Sequence, residues 1–205
     1  MLRVKTKHFN YGQTEISYLK KADPVLGEAM ERIGRVERII IPDLFPALIY
    51  AIVGQLISVK TAQTIWMRMQ DKFGDITPDC IASQTADEIQ SCGITMKKAI
   101  CIKNISETIA IGNLDLNELH SLSDSQVMKK LTLLDGIGEW TAEMLLINSM
   151  ERPDVVSWGD LAIRRGMCKL YGLKDISKEQ FQKHRNIYSP YGSTASIYLW
   201  QISFQ

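Results

Sequence analysis

Few residues of this chain are spaced for chemistry, and they fall in two short stretches. Gly136-Ile137-Gly138 lies between two helical patterns, and Asp160 stands immediately before another. Two glycines in a three-residue turn admit backbone conformations that a side chain forbids, and they leave the turn surface bare. Gly138, Glu139 and Trp140 then open a helix whose first N–H groups lack an internal partner, an arrangement that can hold one phosphate. Leu134 and Ile137 would anchor such a turn in the core. On the triplet alone, a plain helix–helix corner is the stronger reading. Asp160 also has two readings: a helix N-cap, and a carboxylate that stabilises a developing positive charge. One side chain can serve both, because a cap fixes its orientation.

Other chemistries lack their residues. Cys80, Cys92, Cys101 and Cys168 form no C-x-x-C pair, and His8, His120 and His184 lie far apart. Neither zinc nor an iron–sulfur cluster is expected from such spacing. The 205 residues are 45% hydrophobic and 23% charged, an ordinary composition with no apolar run that approaches a membrane span. The start, Met1-Leu2-Arg3-Val4-Lys5, leads into polar sequence without a signal-peptide core, so a cytoplasmic protein is expected. The net charge is only +1, but it is uneven. Residues 1–38 carry eight basic and five acidic side chains, residues 39–152 nine and fourteen, and residues 153–205 seven and four. The basic ends could form one surface if docked, or the pattern is scatter.

The elements that must position these residues read as helices. Asp23-Pro24, Asp43, Ser58, Thr77-Pro78, Thr85-x-x-Glu88, Thr95, Ser123-x-x-Gln126 and Ser177-x-x-Gln180 are helix starts by capping chemistry. Gly34 and Gly172 read as stops, Gly54-Gln55 interrupts an apolar run, and a last helix follows Pro190. Strand alternation is nearly absent. The class is all-α, with roughly nine to eleven helices.

In this context the turn gains weight. Leu133-Leu134-Asp135-Gly136-Ile137-Gly138-Glu139-Trp140-Thr141-Ala142 resembles the helix-hairpin-helix of the base-excision DNA glycosylases. Val155-Val156-Ser157-Trp158-Gly159-Asp160-Leu161-Ala162-Ile163-Arg164-Arg165-Gly166 resembles the loop and aspartate that complete their signature. Val53-Gly54-Gln55-Leu56-Ile57-Ser58-Val59-Lys60 and Ser189-Pro190-Tyr191-Gly192-Ser193-Thr194-Ala195-Ser196-Ile197-Tyr198-Leu199-Trp200 are similar to the branch that removes alkylated purines, the 3-methyladenine glycosylase II type.

The resemblance implies two helical lobes with a helix-hairpin-helix over 124–149 and an active-site cleft between the lobes. Residues 39–152 would form the central lobe. Residues 1–38 would pack with 153–205, the C-terminal segment that carries the aspartate. It implies hydrolysis of the N-glycosidic bond of an alkylated purine, leaving an abasic site. Asp160 would be the catalytic carboxylate. Trp140, Trp158, Trp200, Met144 and Leu161 would line the base pocket. Gln55, Leu56, Ser58, Lys60, Gly136, Gly138, Thr141, Arg164 and Arg165 would meet DNA, with Leu56 as the residue wedged into the duplex and Lys97 and Lys98 as further cations. Relatives that also cut the strand carry a lysine where this chain has Trp140, so no lyase step is expected. Main-chain carbonyls of Thr132, Leu134 and Ile137 are candidates for holding Na⁺ or K⁺; no other cofactor is implied.

The chain departs from its relatives in places. Leu161 and Met144 replace aromatics, and Gly192 replaces an arginine, with loss of a phosphate or structural contact. The implied partner is double-stranded DNA containing a damaged base, met by a monomer in a bacterial-type cytoplasm, at the nucleoid. Alternatives are a glycosylase for another damaged or mismatched base, and a non-catalytic module that binds DNA and senses lesions.

Overall fold

The computed structural model describes residues 4–205; Met1, Leu2 and Arg3, part of the polar start noted above, lie outside the described residues. Twelve α-helices and one 3₁₀ turn are present among them, with two short strands, β1 (Lys7–His8) and β2 (Ile39–Ile40), that pair. No helix among the described residues is long and apolar enough to cross a membrane.

The chain divides into two compact units. A central unit takes residues 4–7 with Ile41–Met150, and a terminal unit takes His8–Ile40 with Glu151–Gln205. The central unit is organised on α3 (Leu44–Gly54), capped by the Asp43 carboxylate, which accepts from the Phe45 N–H. Leu48, Ile49, Ile52 and Val53 of α3 are fully buried. Each such side chain contributes about 1.5–3 kcal/mol by leaving water. Against α3 pack α4 (Val59–Phe73), α7 (Met96–Ala110) and α9 (Glu139–Asn148). The short α5 (Pro78–Ala82) and α6 (Ala86–Gln90) cover α7, and α8 (Asp124–Leu131) pairs with α9. The capping boxes at Thr85 and Ser123 both form, with Glu88 and Gln126 closing them. The Leu116–Leu119 stretch leads into the 3₁₀ turn Asn117–Ser121.

The terminal unit comprises α1 (Gln13–Ala22), α2 (Pro24–Ile33), α10 (Leu161–Leu170), α11 (Lys178–Tyr188) and α12 (Gly192–Ser203). Its centre is α12, with every residue from Gly192 to Trp200 buried. The α10–α12 crossing is close because Gly166 has no side chain: a Cβ there would stand 2.1 Å from the Leu199 carbonyl oxygen. Under it lies a polar cluster. Asp23 caps α2 with one carboxylate oxygen, 3.0 Å from the N–H groups of Val25 and Leu26, and accepts the Tyr171 hydroxyl with the other. The Tyr171 and Tyr188 hydroxyls are 2.6 Å apart, and the His184 ring stacks on Tyr171 at 3.8 Å.

The helix count therefore exceeds the roughly nine to eleven expected. The residues ahead of Asp23 hold a full helix, α1, that apolar spacing does not reveal. Only Leu19 of α1 is buried, and its N-cap is Gly12, which offers no side-chain oxygen. The start is held from the other direction: the Gly12 N–H donates to Glu15 at 2.8 Å.

Candidate nucleic-acid interface and carboxylate site

In the central unit, α8 and α9 are joined by a tight turn. The Leu134 N–H donates to the Leu131 carbonyl and the Ile137 N–H to the Leu134 carbonyl, each at 3.1 Å. Ile137 is buried and Leu134 half-buried, so the turn is anchored from beneath. Gly136 has φ +81°, and a Cβ there would meet the Cys101 Sγ at 2.7 Å. Both facts demand glycine. The Cys101 thiol in turn donates to the Asp135 carbonyl at 3.1 Å. Burial first, and then the nearby Asp135 charge, raise its pKa. Gly138 is extended with open space around its Cα, and no side chain among the described residues caps α9. The turn is thus bare on its outer side at an uncapped helix start, which suits an anion.

Beside the turn, α3 ends at Gln55 and the chain swings outward through Leu56 to Ser58, the N-cap of α4. Leu56 is fully exposed and has φ +58°. A branched side chain in that region costs on the order of 1 kcal/mol, so its surroundings must hold it there. The Gln55 Nε2 donates to the Gly136 carbonyl and to Thr141 Oγ1, both at 3.0 Å. The Lys98 Nζ donates to the carbonyls of Val53 at 2.8 Å and Gln55 at 2.7 Å.

These bonds give three of the residues expected to meet DNA partners within the protein. Gln55 and the buried Thr141 are tied to each other and to the turn, because unpaired polar groups there would be costly. Lys98 seals the last carbonyls of α3. Ser58, Lys60, Lys97 and Gly138 are exposed, whereas Trp140 is half-buried and Met144 buried, its carbonyl accepting from Asn148. Lys130, before the turn, pairs with Glu118 at 2.9 Å.

In the terminal unit, Asp160 caps α10: its Oδ1 accepts the N–H groups of Ala162 and Ile163, both at 2.9 Å. It is 7% exposed. The loop before it is fastened to α12, since Ser193 accepts the Val155 N–H at 3.0 Å and Ser196 donates to the Val155 carbonyl at 2.8 Å. The carboxylate therefore stands on a rigid support. Leu161 is exposed, as is Arg165.

Two of the tryptophans expected in the base pocket have ring or guanidinium neighbours. Trp158 meets the edge of Phe181, ring centres 5.1 Å apart, and the Arg164 guanidinium lies 4.7 Å from its ring centre. Arg164, expected as a DNA-side cation, is turned inward, with its Nε buried. Trp200 is 8% exposed and carries the Arg38 guanidinium 4.3 Å from its ring centre. Gly192 has no room for the arginine it replaces: a Cβ would meet Asp154 and Val156, each at 2.7 Å. Asp154 instead draws its cation from α11, with Arg185 3.7 Å from its Oδ2. No signal along the sequence marked Cys101 or Asp154, or the bonds that Lys98 makes, because each acts on a partner more than thirty residues away.

The chain is similar in sequence and in fold to known proteins. The chain is 33% identical over 164 residues to the DNA-3-methyladenine glycosylase 1 of Schizosaccharomyces pombe, covering 78% of this chain and 72% of that one. A solved structure of the Schizosaccharomyces pombe 3-methyladenine DNA glycosylase in complex with abasic DNA superposes with a TM-score of 0.86 at 29% identity, over 92% of this chain and 96% of that one. A DNA-3-methyladenine glycosidase from Bacillus halodurans superposes at 0.79 and 30% identity, over 97% and 92%. The family model that matches residues 49–190 spans the turn, the Leu56 stretch and Asp160 together. The chain belongs to the HhH-GPD superfamily of base excision DNA repair proteins.

Proposed function

We propose that this protein is a monofunctional glycosylase of the 3-methyladenine II type, which releases alkylated purines from double-stranded DNA and leaves an abasic site. The observation that carries the reading is Asp160: a nearly buried carboxylate fixed by two N–H groups at the start of α10, within the family's signature. Its chemistry fits the bond to be broken. As the C1′–N bond cleaves, its electron pair goes to the base and positive charge develops on the sugar. Asp160 stabilises that charge and orients the water, which adds at C1′ and loses a proton. A 3-alkylated purine is already cationic, so it departs as a neutral base without a general acid.

The central unit supplies grip. The uncapped start of α9 and the bare Gly136–Gly138 turn take a backbone phosphate, and Leu56 enters the stack as the base leaves it. Trp140, half-buried, is the aromatic on which this reading relies for the cationic base. Its indole holds no amine, so no Schiff base forms with the sugar. The neutral carbonyls of Thr132, Leu134 and Ile137 are a donor set that suits a monovalent ion, which would supply positive charge toward the phosphate. The chain spans 72% of its fission-yeast relative's length, and the substrate printed in that relative's name is carried over here as a proposal.

The test is base release from DNA treated with a methylating agent. The expected products are free 3-methyladenine and 7-methylguanine, with strand breaks only after alkali. No release with DNA binding retained would point to another lesion, and release with direct strand cleavage would contradict the monofunctional assignment.

A further inference from the structure

Leu56 holds an unfavourable backbone conformation with its side chain wholly in solvent, and nothing about the residue itself keeps it there. The carbonyls just before it belong to the last turn of α3, where they have no helical partner. One side chain takes two of them: the Lys98 ammonium, from the first turn of α7, bonds to Val53 O and Gln55 O. The next residue but one, Ser58, already caps α4. Leu56 is therefore suspended between a helix end closed by Lys98 and a helix start closed by Ser58. Gln55 is fastened to the turn through Gly136 and Thr141.

We infer that Lys98 is a positioning residue for base extrusion: it holds the end of α3 so that Leu56 projects outward, and it contributes to opening the duplex rather than to cleaving the bond. Lys98 is half-buried, and burial lowers its pKa. A merely structural lysine would affect all substrates alike. A lysine that supports the wedge matters only where a base must be pulled from the stack. The inference rests on the proposed glycosylase activity.

The experiment compares wild type, Lys98→Met, Lys98→Arg and Leu56→Ala on two DNAs carrying the same alkylated purine, one in a fully paired duplex and one in a single-nucleotide bulge, where the base is already unstacked. Release from the duplex is expected to fall roughly tenfold or more in Lys98→Met, the scale of losing hydrogen bonds made by a charged group. Release from the bulge should stay within about twofold, and a 2-aminopurine beside the lesion should lose its fluorescence rise on binding. Lys98→Arg should recover part of the duplex rate. Combining Lys98→Met with Leu56→Ala should add little to either single loss, because both act on one step. Equal losses on both DNAs, or fully additive losses, would overturn the inference. If Lys98→Met does not fold, Lys98→Gln carries the same comparison. A wild type inactive on both DNAs would refute the glycosylase reading instead.

Discussion

The side-chain amide of Gln55 donates to the carbonyl of Gly136 at 3.0 Å, joining two stretches 81 residues apart in the chain. This bond sets the register between the projecting Leu56 and the glycine turn. Its second bond, to Thr141, reaches the first turn of α9. Replacing Gln55 with Leu removes both and leaves a buried threonine hydroxyl without its partner. We expect about 1–3 kcal/mol of destabilisation by denaturant melt. Affinity for duplex DNA containing an abasic site should fall as well. A variant as stable and as tight-binding as wild type would mean that the bond is idle.

The two glycines of the turn should behave differently. Gly136→Ala forces a side chain into positive φ and onto the Cys101 sulfur, and should cost about 1–3 kcal/mol. Adding Cys101→Ala removes the sulfur and should restore part of that loss. Gly138→Ala meets no neighbour, and its cost should be about 1 kcal/mol, the scale on which alanine is the poorer N-cap. If the outer side of the turn takes a phosphate, Gly138→Ala will nonetheless weaken DNA binding. Thermal melts and binding titrations at fixed salt separate the two effects.

Gly166→Ala tests the support beneath Asp160. The added methyl has backbone in its way at the α10–α12 crossing, so the helices must part. The expected cost is about 3 kcal/mol or more, at the upper end of overpacking effects. Base release should fall with it, because α10 carries Asp160 at its start. An unchanged melting midpoint would contradict the close crossing.

A pH dependence follows from His184. Its ring stacks on Tyr171, its Nδ1 is buried, and burial pulls its pKa below the ordinary 6.5 despite an opposing pull from the Asp23 charge. The folded state therefore resists protonation that the unfolded chain accepts. The stabilisation is complete above about pH 6.5 and is lost as the pH falls from there toward the folded-state value. Denaturant melts from pH 8 to pH 5 should show this fall in wild type, and His184→Phe should flatten it. Equal slopes in both proteins would exclude the histidine.

Much of this architecture was legible along the chain, for local reasons. Helix starts are decided by one or two residues. Asp23, Asp43, Ser58, Thr85, Thr95, Ser123, Asp160 and Ser177 all cap the helices their types imply. The glycine turn and Asp160 could be found from type and spacing, although their meaning came from the resemblance. Helix α1 was hidden because it buries one residue on a glycine start. The roles of Gln55, Lys98 and Arg164 were hidden for a different reason. The carbonyl or ring that each meets within the fold is set by tertiary packing, which spacing along the chain does not reveal.

The most direct test of the account is Asp160→Asn, assayed for release of 3-methyladenine from methylated DNA in single turnover, with melting and DNA binding measured alongside. Asparagine caps a helix about as well as aspartate, so the fold should survive with a melting midpoint near that of wild type. It carries no charge, so stabilisation of the sugar cation should go. Base release is expected to slow by at least about a hundredfold, with binding to abasic DNA retained. A variant that melts and binds like wild type and still releases the base at a comparable rate would show that Asp160 is only a helix cap.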